Sequence, residues 1–116
     1  MKVVYIAGPY RDTRGAYYVM MNQRWAEECA LFVWRNGGAA LCPHKNTQWF
    51  DGYAELPDDV WLEGDLELVA HCDALFAIRG WRQSEGATME VKQALACGLP
   101  VLESFEVVKE YLQNEI

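Results

Sequence analysis

Six residues near the start of the chain, Lys2 to Ala7 (KVVYIA), form a nearly continuous apolar run rich in β-formers, and Gly8-Pro9 stops it at once. A strand that is apolar on both sides must be covered on both sides, which is the condition of a buried parallel strand. The next segment has a different period. From about Gly15 to Asn36, apolar residues recur at Tyr18, Met21, Trp25, Cys29, Phe32 and Val33, the spacing of one helical face, and Gly37-Gly38 ends it. The alternation then repeats, with a strand from Ala39 to Cys42, a helix from Asp58 or Asp59 to about His71 and a strand from Ala74 to Ile78. A helix from about Ala87 to Cys97, a strand from Val101 to Glu103 and a helix from Phe105 to Asn114 complete it. Strands alternating with helices predict an α/β fold with a doubly wound parallel sheet and right-handed crossovers. The 116 residues fit a single domain spanning 1–116, and a hydrophobic content of 52% supplies its core.

In such sheets ligands bind outside the carboxyl ends of the strands, near the point where strand order reverses. Three segments leave those ends: Gly8 to Thr13, Pro43 to Tyr53, and Arg79 to Gly86. They carry most of the unusual polar and aromatic residues. The stretch from Pro43 to Leu56 lacks periodicity and reads as one long loop, of the kind that often carries function.

Charge and cysteine usage narrow the classes of partner. Seventeen acidic against ten basic residues give a net charge of −7, and no basic stripe suits a nucleic-acid polymer. No apolar run approaches the ~18 residues of a membrane span, and the chain enters a strand directly after Met1-Lys2, so neither a membrane nor a signal peptide is expected. Cys29, Cys42, Cys72 and Cys97 include no C-x-x-C pair and read as buried reduced thiols of a cytosolic protein. Cys42 and His44, with His71 and Cys72 further on, lack zinc spacing, and neither a metal nor another cofactor is expected.

Two carboxylates stand out by position. On the helix from Asp58, Trp61, Leu62, Leu66, Leu68 and Val69 mark the apolar face, and Asp65 lies four residues from both Trp61 and Val69. An inward carboxylate costs stability unless it is paired or functional. An internal hydrogen bond to a loop backbone is the competing explanation. Glu90 falls in the predicted first turn of its helix, beside the small residues Ala87, Ala94 and Cys97, where the helix dipole favours an ionised carboxylate. Ordinary first-turn electrostatics would place a Glu there too. Ser84, Glu85 and Gly86 before it form a helix entry suited to an anion. The turn Gly8-Pro9-Tyr10-Arg11 lets backbone approach a ligand, but it is neither a Walker loop nor a G-x-G-x-x-G fingerprint.

The opening YIAGPYR, the segment GDLELVAHCDALFAI and the segment SEGATMEVKQALACGLPV, in that order, resemble the nucleoside 2-deoxyribosyltransferase superfamily, which includes the 2'-deoxynucleoside 5'-monophosphate N-glycosidases. The resemblance implies a flavodoxin-like Rossmann variant of three layers, αβα, and cleavage of an N-glycosidic bond. It implies Glu90 as the nucleophile at the anomeric carbon, Tyr5 as the residue orienting it, and Asp65 in sugar and base contacts and proton transfer. One carboxyl then forms a glycosyl-enzyme intermediate while the other handles protons. Transferases of the superfamily carry Asp six residues before the nucleophile, whereas the monophosphate hydrolases carry Ser, as here at Ser84. The expected substrate is therefore a nucleoside 5'-monophosphate, with Gly8, Pro9, Tyr10, Arg11, Ser84, Gly86 and Ala87 around it. Trp49, Phe50 and Tyr53 are candidates to stack on the base, as are Trp81 and Arg82 beyond the third strand; simple packing would explain these rings equally well. A deoxyribosyltransferase and a catalytically silent nucleotide-binding domain are the other readings. Glu85 and the Gly-poor Gly8–Arg11 turn depart from the hydrolase pattern, and a homodimer or higher homo-oligomer is the assembly the resemblance implies.

Overall fold

The computed structural model of the chain describes residues 1–47 and 56–114. Its strands are β1 (Val3–Ala7), β2 (Ala39–Leu41), β3 (Ala74–Ala77) and β4 (Val101–Leu102), and its helices are α1 (Ala16–Arg35), α2 (Pro43–Asn46), α3 (Asp58–Ala70), α4 (Glu85–Ala96) and α5 (Phe105–Gln113). The strands form one parallel sheet in the order β2-β1-β3-β4, with Tyr5 level with Leu41 on one side and Leu75 on the other. The chain leaves β1 towards β2, then crosses back over it to β3. This reversal beside β1 is the switch point of a flavodoxin-like sheet.

The alternation of side chains along β1 divides the core in two. Val4 and Ile6 pack with Cys29 and Val33 of α1 and Val108 and Leu112 of α5. Tyr5 and Ala7 point the other way, into a cluster with Val69 of α3 and Ala87, Val91 and Ala94 of α4. The result is the expected three-layer αβα arrangement, with α1 and α5 on one face and α3 and α4 on the other. Among the described residues, no helix is long and apolar enough to cross a membrane.

Several boundaries differ from the sequence expectation. The stretch after β2 is not loop throughout, because Pro43 opens the one-turn helix α2 at a position where its missing N–H costs nothing. Helix α4 starts at Glu85, two residues before the expected Ala87, because extended Ser84 caps it and accepts the Ala87 amide on its hydroxyl at 3.1 Å. Strand β4 is two residues long and ends before Glu103. Of the four free cysteines, Cys29, Cys42 and Cys72 are buried, but Cys97, expected inside, is exposed as the residue that follows α4.

The β1 exit is sterically tight. A Cβ on Gly8 would fall well inside contact distance of Cγ1 and Cδ1 of the buried Ile78, the residue that follows β3. Overpacking of this kind costs about 1–3 kcal/mol. Gly8→Ala is expected to lose stability in that range in urea denaturation. Ile78→Ala should then cost less in the Gly8→Ala background than in the wild type, and additive losses would show that the two residues do not compete for the same space.

Candidate active site

The sheet's alternation places the Tyr5 side chain under α4, where its hydroxyl donates a hydrogen bond to Oε2 of Glu90. Both groups are buried, Glu90 to 6% exposure, and Ala87, Val91 and Ala94 of the same helix belong to the buried apolar cluster that holds Tyr5. Asp65, half-buried on α3, faces the same space, since its charge bears on both Tyr5 and Glu90. Helices α3 and α4 pack side by side, and the Gln93 amide reaches the Leu66 carbonyl at 3.4 Å. Three elements thus bring Tyr5, Asp65 and Glu90 together from positions 5, 65 and 90.

The electrostatics follow from this crowding. Burial pushes the Glu90 carboxyl up to about 8; the Tyr5 hydrogen bond opposes that shift and the Asp65 charge adds to it. Burial raises Asp65 to about 6. The Tyr5 phenol is pushed far up, by burial first and then by the Glu90 and Asp65 charges, so it remains a donor throughout the useful pH range. This corrects the sequence expectation for Glu90. Glu90 is the sixth residue of α4, in the second turn, beyond the free amides that stabilise an anion at a helix start. Its carboxyl is held protonated by apolar burial instead of being held ionised by the helix dipole. Between about 6 and about 8 Glu90 holds a proton and Asp65 does not, a difference of the kind by which paired carboxyls divide acid and base work.

The turn after β1 forms one edge of this region and is pinned from two sides. Nδ2 of Asn22 on α1 donates to the Tyr10 carbonyl at 3.2 Å, and Nε2 of His44 bonds the Pro9 carbonyl at 2.8 Å. A carbonyl only accepts, so His44 carries its proton on Nε2, and burial lowers its pKa and keeps the ring neutral. His44 is 6% exposed, meets the Tyr10 ring edge-on at 5.6 Å between centroids, and leaves Nδ1 buried without a partner among the described residues. Sequence reasoning set His44 aside as a loop histidine. The signal that could have found it is its place directly after β2, on the carboxyl edge that also bears Gly8 and Arg79. His71, the other histidine, lies on the surface against Glu67.

The remaining candidates fall into three groups. Ser84, Gly86 and Ala87 form the start of α4, where Ser84 is the cap and the first amides of the helix are donors that no helical carbonyl can satisfy. Arg11 extends from the β1 turn to Asp58 at the start of α3, with its guanidinium 2.7 Å from that carboxylate and both side chains exposed. Trp81 and Arg82 turn away to the end of β4, where both donate to Oε1 of Glu103, at 3.2 and 3.1 Å. Trp49, Phe50 and Tyr53 lie outside the described residues. Among the described residues, no group of three or more His, Cys, Asp or Glu side chains is placed to hold a metal ion.

The family described as "Domain of unknown function (DUF7768)" matches residues 2–104. No curated protein matches the chain. Among solved structures, the chain is similar to a 2-desoxiribosyltransferase from Leishmania mexicana, at 18% identity and a TM-score of 0.61 over 89% of this chain and 63% of that one. It is also similar to a 2-deoxyribosyltransferase from the psychrotolerant bacterium Bacillus psychrosaccharolyticus, at 21% identity and a TM-score of 0.61 over 87% of this chain and 70% of that one. The chain thus has the deoxyribosyltransferase fold in a form that spans about two thirds of those proteins' length.

Glu90 makes stability depend on pH with a definite sign. Its folded value of about 8 lies above its ordinary 4.5, so the folded state holds the proton more tightly. The stabilisation is complete below about 4.5 and is lost as pH rises through about 8. The wild type should therefore lose several kcal/mol, to order of magnitude, relative to Glu90→Gln between those limits, as measured by chemical denaturation. Parallel pH profiles for the two proteins would show that Glu90 is not held protonated. Tyr5→Phe, which removes the opposing hydrogen bond, should move the Glu90 carboxyl still higher in an NMR titration.

Proposed function

The chain belongs to the family described as "Domain of unknown function (DUF7768)", and within it we propose that this protein is an enzyme that cleaves the N-glycosidic bond of a nucleoside 5'-monophosphate, with Glu90 as nucleophile. The observation that carries this reading is the buried Tyr5–Glu90 hydrogen bond, with Asp65 of the neighbouring helix close enough for its charge to act on both groups. Retaining glycoside chemistry needs such a pair.

The reactive form is the minor one, in which the proton sits on Asp65 and Glu90 is ionised. The Glu90 carboxylate attacks the anomeric carbon, the carbon–nitrogen bond breaks, and its electron pair leaves on the base, which takes a proton from Asp65. Tyr5 holds the attacking carboxylate in line throughout. Asp65, now ionised, takes a proton from water as that water attacks the glycosyl ester. The products are the free base and the sugar 5-phosphate, and both carboxyls return to their starting state. Phosphate recognition is assigned to Ser84, Gly86 and Ala87 at the start of α4, with Gly8, Pro9, Tyr10 and Arg11 across from them. A neutral serine at position 84 repels a phosphate less than aspartate would. The stacking role for Trp49 and Phe50 belongs to the same proposal.

Exchange of the base in place of hydrolysis is favoured by one finding, the transferase names of the two similar solved structures. The four free thiols fit a reducing, cytosolic setting, and apolar side chains left at the surface, Trp34 and Leu95 among them, are available to a homodimer.

Incubation with a panel of deoxynucleosides and their monophosphates, with and without an acceptor base, tests the reading. Free base released from a monophosphate without acceptor is the expected result; turnover only with acceptor would make the protein a transferase. Glu90→Ala should lower turnover by about 1,000-fold or more, to order of magnitude, while leaving the circular dichroism spectrum unchanged. The pH dependence of kcat/KM should be bell-shaped, with limbs near 6 and 8. Below the lower limb Glu90 keeps its proton; above the upper one Asp65 has none to give. Ser84→Asp should weaken use of monophosphates more than of nucleosides, and equal losses would remove the phosphate assignment.

A further inference from the structure

On the other side of the sheet from Glu90, a cleft of about 730 Å³ opens between α1, the turn after β1 and the turn after β3. Tyr5, Asp65 and Glu90 do not line it. Four of the six arginines of this acidic chain do: Arg11, Arg14, Arg24 and Arg79. Two of them are already matched, Arg11 by Asp58 and Arg14 by Asp12, and Glu27 on the same wall is matched by Lys45. Arg24 and Arg79 have no carboxylate partner among the described residues, against the single unmatched acid Glu28. In a molecule of net charge −7, such a concentration of arginine is a local reversal of sign.

The wall carries apolar groups as well. The Arg79 guanidinium lies over the Trp25 ring, 4.3 Å from its centroid, which orients its planar face and leaves its N–H edge to meet an anion. Met21 and Leu31 of α1 expose over 40% of their surface along the same cleft. Trp25 itself has a buried indole N–H with no acceptor among the described residues. A buried donor without a partner is rare in a finished structure.

We propose that this cleft binds a small organic anion, an aryl or alkyl phosphate or carboxylate, whose acid group is taken by Arg24 and Arg79 and whose apolar body lies along Met21 and Leu31. The cleft shares Pro9 and Arg11 with the proposed phosphate edge but includes neither carboxyl of the pair on the α3–α4 face, and it does not depend on the reaction assigned to that pair. Guanidinium groups hold either acid bidentately, so phosphate esters and carboxylates share the recognition chemistry.

Trp25 provides the readout. Phenyl phosphate, benzoate and inorganic phosphate are titrated separately into the full chain, labelled with ¹⁵N, while the indole resonances are followed. Trp25→Phe identifies the signal. Phenyl phosphate or benzoate should shift the Trp25 indole saturably, and inorganic phosphate, which lacks the apolar body, should bind at least about tenfold more weakly. Arg24→Ala with Arg79→Ala should weaken binding of the aryl probes at least about tenfold. Arg24→Glu alone, at an exposed position, should weaken it too, which keeps the test valid if the double variant folds poorly. Glu90→Gln should leave the titration unchanged. No saturable Trp25 shift, a shift that survives both arginine substitutions, or loss of binding in Glu90→Gln would each overturn the proposal.

Discussion

A carboxyl group that lies 6% exposed against hydrocarbon and is bonded to the phenol of the central strand imposes conditions on nearly every element around it. Tyr5 reaches Glu90 because β1 is the inner strand at which the chain reverses direction, and because its residues alternate between the two helix layers. Shifting β1 by one residue would turn Tyr5 towards α1 and α5 and leave the Glu90 carboxyl without a donor. Ala87 and Ala94, each about one turn from Glu90, keep α4 close enough to the sheet for the bond to form, so the small residues on that face are a geometric requirement of the pair.

The same burial sets the chemistry and limits the stability. An isolated carboxylate in such a place is costly, and the protein lowers the cost by keeping a proton there and by adding one hydroxyl donor. Asp65, less buried, is raised less, so the two carboxyls differ by their surroundings although their ordinary values are close. The Tyr5 phenol is held so far from ionisation that it always donates and never competes for the proton. On the proposed function, a site assembled this way trades folding free energy for a proton that moves between two positions at near-neutral pH.

Much of this was legible in the sequence, and the exceptions have physical causes. The apolar run at Lys2–Ala7 and the period of α1 are strong signals because burial on two faces, or on one helical stripe, leaves few other arrangements. The carboxyl edge followed from alternation of elements, and Asp65 from its position on the α3 stripe. The start of α4 was misplaced by two residues because the Ser84 cap is a local hydrogen bond that competes with the stronger-looking break at Gly86. That slip mattered, since it put Glu90 among free helix amides and suggested the wrong sign for its electrostatics. The sequence shows His44 only as a loop histidine without zinc spacing, because nothing in composition marks a one-turn helix of four residues, and its hydrogen bond spans 35 positions to Pro9.

On the proposed reading, α4 does two jobs at two levels. Its first turn, capped by Ser84, offers amides to a phosphate; its second turn carries the nucleophile in an apolar setting. A phosphate dianion at the first turn acts on Glu90 as a further negative charge, which favours keeping one proton in the carboxyl pair. Both carboxyls ionised beside a phosphate would place like charges in one small volume, whereas one proton on Asp65 leaves a single carboxylate aimed at the sugar. The N-cap hydroxyl fits this scheme for the same reason. Serine satisfies the α4 amide without adding charge, while an aspartate cap would perform the same structural task and repel both the phosphate and the ionised form of Glu90.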